Sequence, residues 1–340
     1  MSSNPKTTLP KKSLPYDLGF TLNHAKRVMG PVLLPEVEDQ IRKIYRQTQR
    51  QLRRYGFAAK NHHHRTMRSR EFILTTSFGY RIISVLHGYP KGKPFITFDE
   101  VKKLADQASP RHAPKEPVFL TQVTKSGGGK RSLTLFGAVA RANQHLARDM
   151  ILIARGISRF EFARKGRGRE AMMDRIQNAV KKGGVRALGT LDVKDCFPSI
   201  ASSAVEMAVP LSRRVIENSL HVKAGTPIDK HKNAEDISES AVHIGLPQGA
   251  LTSPLVAGLV LEPCLDKVAA KLRCAHVDDV TLGDASKEKV QAQLDTLNAK
   301  DPARGYGVES LGGRWGWYEN WLQRVREECE QNPLAYRTNP

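Results

Sequence analysis

Apolar residues in the first third of the chain recur at helical spacing. In Ile41-Arg-Lys-Ile-Tyr-Arg-Gln-Thr-Gln-Arg-Gln-Leu-Arg-Arg-Tyr55, the residues Ile41, Ile44, Tyr45 and Leu52 fall on one face of a helix and the cations on the other. Thr97 and Glu100 form a capping-box pattern that opens a further helix toward Leu104. Residues from about 35 to 110 therefore read as mostly helical. From Val118 the pattern changes to strand and hairpin signals, and Ala138 to Ala154 then returns to helical periodicity, as expected of a helix bracing that hairpin. Ala187–Val193 and Leu272–Leu282 are short apolar runs of strand type, separated by the helix-like run Leu255–Leu261. Helices backing an antiparallel sheet make the expected fold α+β. The chain divides into 1–34, a basic N-terminal tail, partly disordered; 35–116, a helical N-terminal extension; 117–300, the body that carries the sheet; and 301–340, a short C-terminal segment. That last segment gathers all three tryptophans in Arg314–Leu322, read as packing over the sheet, with stacking on bases or partner binding as alternatives.

Charge adds a partner class. Fifty-four Lys and Arg against 34 Asp and Glu leave a formal charge of +20 on 340 residues, an excess that favours phosphate backbones. The cations cluster at 41–55, at His63–Arg70, at Arg164–Arg169 and at Lys181-Lys182, which points to contact with a nucleic-acid template. With 40% hydrophobic residues the chain can bury a sizeable core. Its longest apolar runs, such as Met150–Ala154, fall far short of the ~18 residues of a membrane span, and its start lacks the apolar core of a signal peptide. Cys196, Cys264, Cys274 and Cys329 show no metal-ligand spacing, as expected of a reduced, cytoplasmic compartment. No membrane partner is expected, and the oligomeric state is open.

Candidate chemistry lies with the aspartates. Asp278 and Asp279 sit between apolar runs in Leu272-Arg-Cys-Ala-His-Val-Asp-Asp-Val-Thr-Leu282, and Asp192 lies on the upstream strand. An Asp-Asp pair alone reads as a solvated turn, but the apolar flanks and the motifs around it favour a metal site. Carboxylates are hard oxygen ligands for Mg²⁺, and three can hold two ions about 4 Å apart for phosphoryl transfer. Successive strand residues point to opposite faces, so a turn at the pair is expected, with Asp278 facing the metals and Asp279 in the bend. Between the acidic segments, Gly245-Leu-Pro-Gln-Gly-Ala-Leu-Thr-Ser-Pro254 reads as a loop-to-helix junction with Ser253 as cap and Pro254 in the first turn. Gln248 and the bare backbone of Gly249 would be presented beside the metal site.

Together these residues resemble a family. Asp192-Val-Lys-Asp-Cys-Phe-Pro-Ser-Ile200, Leu246-Pro-Gln-Gly-Ala-Leu-Thr-Ser-Pro254 and His276-Val-Asp-Asp279 look like the three palm motifs of reverse transcriptases in the family's order, most similar to the bacterial retron and group II intron enzymes. Lys125-Ser-Gly-Gly-Gly-Lys-Arg-Ser-Leu133 is similar to the fingers hairpin that grips the incoming triphosphate, and Phe162–Arg169 to the segment before the palm. The resemblance spans roughly residues 117–285. It implies a polymerase right hand: fingers and palm over 117–300, an antiparallel palm sheet backed by helices, and a thumb that is short or missing. It also implies Asp192, Asp278 and Asp279 as catalytic metal ligands for two Mg²⁺, with Mn²⁺ as an alternative. Phe197 would be the steric gate against a ribose 2′-hydroxyl, Gln248 and Gly249 would line the nucleotide pocket, and Lys125 and Arg131 would neutralise phosphates. Asp195 falls on the wrong strand alternation for the metals and is expected to pack or pair locally. The implied activity is RNA-directed DNA synthesis from an RNA template, a nucleic-acid primer and deoxynucleoside triphosphates.

Three departures from the family pattern open alternatives. His276 replaces the usual aromatic residue before the catalytic pair, and Cys196 stands where bacterial members often carry a second aromatic. Only 61 residues follow Asp279, with no convincing primer grip or full thumb and only a faint lysine-bearing echo at Leu297–Lys300. One alternative is a viral-type RNA-dependent RNA polymerase, although its usual Ser-Gly and Gly-Asp-Asp signatures are absent. The other is a non-catalytic RNA-binding or antiviral defence protein on a degenerate palm.

Overall fold

A computed structural model describes residues 16–124, 129–162, 168–193, 195–298 and 311–313, with the backbone alone at 169, 192, 241, 298 and 311–313. The first five helices are α1 (Leu18–Met29), α2 (Pro35–Lys60), α3 (His64–Thr76), α4 (Phe78–Gly88) and α5 (Phe98–Gln107). Helix α1 lies within the stretch expected as a tail. Asp17 caps it by accepting the Phe20 N–H at 2.7 Å, and Thr21, Ala25 and Val28 are buried. Helix α2 begins with Pro35 and carries Glu36 and Glu38 in its first turn, where the helix dipole favours acids. Its apolar face is the expected one: Ile41, Leu52 and Tyr55 are fully buried, and Ile44 and Tyr45 are partly so. The helix joins two cores, because Ile41 packs with α4 and α5 residues while Leu52 and Tyr55 pack into the larger core under the second sheet. The capping box of Thr97 and Glu100 opens α5 in both directions.

Strands β1 (Val118–Thr124) and β2 (Lys130–Phe136) form an antiparallel hairpin, followed by α6 (Ala138–Ala154). Helix α6 packs against α2 and α4 and carries a buried polar cluster into the helical region. There Asp149 accepts the Tyr16 hydroxyl at 2.6 Å and lies 3.4 Å from the Tyr80 hydroxyl, and burial pushes its pKa up to about 6. The nearby His87 is pushed down to about 3 by burial, and His145 is also lowered well below its ordinary value for the same reason.

The remaining elements are α7 (Arg169–Lys181), β3 (Ala187–Val193), α8 (Cys196–Ser199), α9 (Ser202–Ala208), α10 (Arg213–Ser219), β4 (Ile228–Lys230), α11 (Ser253–Lys267), β5 (Leu272–His276), β6 (Asp279–Asp284), α12 (Lys287–Asn298) and β7 (Leu311–Gly313). Strand β4 joins the hairpin by pairing in parallel with β1. The second sheet has the order β5-β6-β3-β7 with every described pairing antiparallel. One face packs Leu191, Val193, Val280 and Leu282 against α11 and α12, whereas the other packs Leu188, Leu272 and Cys274 against Met172, Ile176 and Val180 of α7. Helices thus cover both faces rather than only backing one. The fold is α+β, as its sequence periods imply. Among the described residues no helix is long and apolar enough to cross a membrane.

Candidate active site

The β5–β6 hairpin closes with His276 paired to Asp279, so its loop is the two residues Val277 and Asp278. Tight antiparallel hairpins need a positive φ in such a loop, and Val277 supplies it at +64°, a costly conformation for a β-branched residue. A buried carboxylate holds the turn: Glu161, bridged to β5 at Ala275, accepts the Val277 N–H at 3.3 Å. The bend therefore falls on Asp278, and Asp279 is the first residue of β6. The bend expected at Asp279 thus falls at Asp278, because register with β5 fixes the loop one residue earlier than the dipeptide alone implies.

The neighbouring ladder sets the third acidic position. Asp192 stands directly opposite Asp279 across the β3–β6 pair, and the Val193 N–H donates to the Asp278 carbonyl at 3.0 Å. Opposed residues in an antiparallel ladder share a sheet face with Cα atoms about 4.5–5.5 Å apart. Positions 276, 279, 192 and 312 thus form one row across β5, β6, β3 and β7. The backbone brings the three aspartate positions together, with Asp279 exposed and Asp278 half-buried.

The loop from Gly245 to Thr252 fastens three elements around this row. Gly245, at φ +63°, lies so close to the turn after β3 that an added β-carbon would sit 2.3 Å from the Phe197 carbonyl oxygen. The Leu246 N–H donates to that same carbonyl at 2.8 Å. On the other side the Thr134 N–H donates to the Gln248 carbonyl at 2.7 Å, and Gly249, at φ +106°, leaves room for the Thr134 carbonyl. Ser253 does not cap: it is the first residue of α11, and its hydroxyl reaches back to the Pro247 carbonyl at 2.8 Å. Pro254 occupies the first turn as expected.

Between the hairpin, the β3 turn and this loop lies a cleft of about 510 Å³. Arg131, Phe197, Gln248 and Asp278 all line it, and the Arg131 guanidinium lies 3.9 Å from an Asp278 carboxylate oxygen. Gly249, expected to line the pocket, is not among the lining residues; it lies against the Thr134 backbone of β2. Lys125 lies outside the described residues, as do the Trp-rich segment Arg314–Leu322 and Lys300. Asp195 neither packs nor follows strand alternation: β3 ends at Val193, and Asp195 sits exposed on the cleft in a left-handed turn with φ +49°.

Several residues of this region carry no local signal. Lys130 lines the cleft beside Arg131, and its place in a basic hairpin is the cue that could have included it. Ile237, Val242 and Ile244 form an apolar wall from the segment after β4, which reaches the cleft only through tertiary packing. Glu161 acts behind the turn, where no spacing rule reaches.

The donor set fits hard divalent cations, since it consists of carboxylates, and the guanidinium near Asp278 marks a spot that draws positive charge. Among the described side chains no group of three His, Cys, Asp or Glu is arranged about one ion, and that of Asp192 is not among them.

No family model and no curated protein matches the chain. Among solved structures 41 chains match. One is a chain of a "Partial Cas6-RT-Cas1--Cas2 complex", similar at 17% identity and a TM-score of 0.30 over 64% of this chain. The match spans 38% of that chain's length.

Proposed function

We propose that the chain is an RNA-directed DNA polymerase, with the second sheet as its palm and the β1–β2 hairpin as its fingers. The observation that carries this reading is the direct opposition of Asp192 and Asp279, with Asp278 hydrogen-bonded to the same strand, beside a cleft walled by Arg131 and Phe197. The three motifs that resemble those of reverse transcriptases occur in order on these elements.

Asp192, Asp278 and Asp279 would hold two Mg²⁺, which lower the pKa of the attacking hydroxyl and neutralise charge on the phosphates. The primer 3′-hydroxyl gives its proton to solvent water and its oxygen forms a bond to the α-phosphorus of a deoxynucleoside triphosphate, as the bond from that phosphorus to the oxygen bridging to the β-phosphate breaks and releases pyrophosphate. Arg131 and Lys130 would hold the triphosphate, Arg131 by exchanging its contact with Asp278 for one with phosphate. Phe197 packs under the sugar, and Gln248 lines the pocket beside it. Such chemistry asks the protein mainly for position and charge neutralisation.

Asp192→Asn and Asp278→Asn each remove a ligand charge with almost no change in volume. Both variants are expected to fold, to bind RNA and to lose primer extension on an RNA template by at least about a thousandfold. Extension by either at the wild-type rate refutes the assignment. Wild-type protein that adds ribonucleotides in preference to deoxynucleotides would instead identify an RNA polymerase.

A further inference from the structure

Helix α2 carries a row of cations that the cleft does not use. Between Gln40 and Arg70 the chain has ten Lys or Arg and no Asp or Glu, although acids make up 34 of its 340 residues. On α2 the exposed residues Lys43, Arg46, Arg50, Arg53, Arg54 and Lys60 fall within an arc of about 120° and span about 26 Å of helix. The opposite face is locked into two cores through Ile41, Leu52 and Tyr55. Among the described residues none of the six has a salt bridge, whereas Arg42, half-buried at the edge of the same arc, is paired with Glu38. Like charges three and four residues apart on an exposed helix repel one another; Asp39 lies one turn before Lys43, but no acid falls between Lys43 and Lys60 to relieve the rest.

We propose that this face of α2 binds the phosphate backbone of a nucleic-acid strand, at a place separate from the cleft. Most of the cations succeed one another about a turn apart along one continuous helix, so a polyanion can lie along it without reordering the helix. Four of the six are arginines, whose planar forks match phosphate oxygens. Phe57 is 43% exposed within the same arc and offers a ring for base stacking. A membrane is the poorer fit, because an interfacial helix inserts its apolar face and here that face is buried in the protein. No residue before Leu120 lines the cleft, so this surface is independent of the aspartates and of the activity proposed for them.

Binding of labelled oligo(U) across a salt series tests it. The double variant Arg50→Gln/Arg53→Gln should weaken binding at least tenfold at low salt and reduce the slope of log K against log salt by about 1.4, at about 0.7 per phosphate contact. Lys43→Gln/Arg46→Gln should do the same, and thermal melts should remain at wild type because all four side chains are exposed or on the helix surface. Lys102→Gln/Lys103→Gln on α5, with the same loss of charge, should change affinity less than twofold. Equal weakening by the α2 and α5 doubles, or none by either α2 double, overturns the proposal. So does loss of binding to phosphatidylserine vesicles with oligo(U) affinity intact. Asp278→Asn should leave oligo(U) binding unchanged, so failure of the polymerase reading and failure of this one give different results.

Discussion

On the proposed reading, Phe197 selects the sugar by volume. The ring is half-buried and borders the cleft, and the backbone of Phe197 in the one-turn helix α8 is fixed by the Leu246 N–H donating to its carbonyl. Phe197→Ala should raise ribonucleotide incorporation relative to deoxynucleotide incorporation by about tenfold or more, measured as the ratio of kcat/KM values; an unchanged ratio removes Phe197 from sugar selection. That Phe197, Gln248 and Asp278 share one cleft, and that Asp192 and Asp279 stand side by side, was legible in the sequence because each sits in a short motif whose spacing reflects local backbone geometry. The assignment of the bend to Asp279 failed for a related reason. The dipeptide does not say which residue closes the ladder, and that is decided by pairing of His276 with Asp279 and of Asp192 with the same residue.

Among the elements, the hairpin that carries Asp278 depends on a carboxylate from a segment more than a hundred residues upstream. Glu161 is buried, and its acceptor bond to the Val277 N–H supports a β-branched residue at positive φ. Glu161→Ala should lower stability by about 1–3 kcal/mol in urea unfolding and speed amide exchange at Val277, while Glu161→Gln, which keeps an acceptor, should recover most of both. Equal behaviour of the two variants would show that the carboxylate does not hold the turn. The long amphipathic helices were readable because a single face decides them. Strand β4 and the apolar wall of Ile237, Val242 and Ile244 were not, since β4 exists only by pairing with β1, which lies over a hundred residues earlier in the chain.

For the whole molecule, the buried cluster around α6 sets a pH response with two opposing signs. Asp149, raised to about 6, favours the fold when protonated, so its contribution is complete below about pH 4 and is lost as pH rises toward 6, roughly 3 kcal/mol in all. His87, lowered to about 3, favours the fold when neutral; its contribution is complete above about pH 6.5 and is lost as pH falls toward 3, roughly 5 kcal/mol. His145 adds in the direction of His87. Two imidazoles outweigh one carboxyl, so the urea midpoint should fall between pH 6.5 and 4, and His87→Asn should flatten that fall. A midpoint that rises on acidification through this window contradicts the balance. Strand β7 has another consequence. By covering β3, it occupies the backbone groups that would otherwise form a free sheet edge next to Asp192. A proteolytic cut between Asp284 and Leu311 that released β7 would leave those groups open to a strand from a second molecule, so damage to that connection would first appear as self-association.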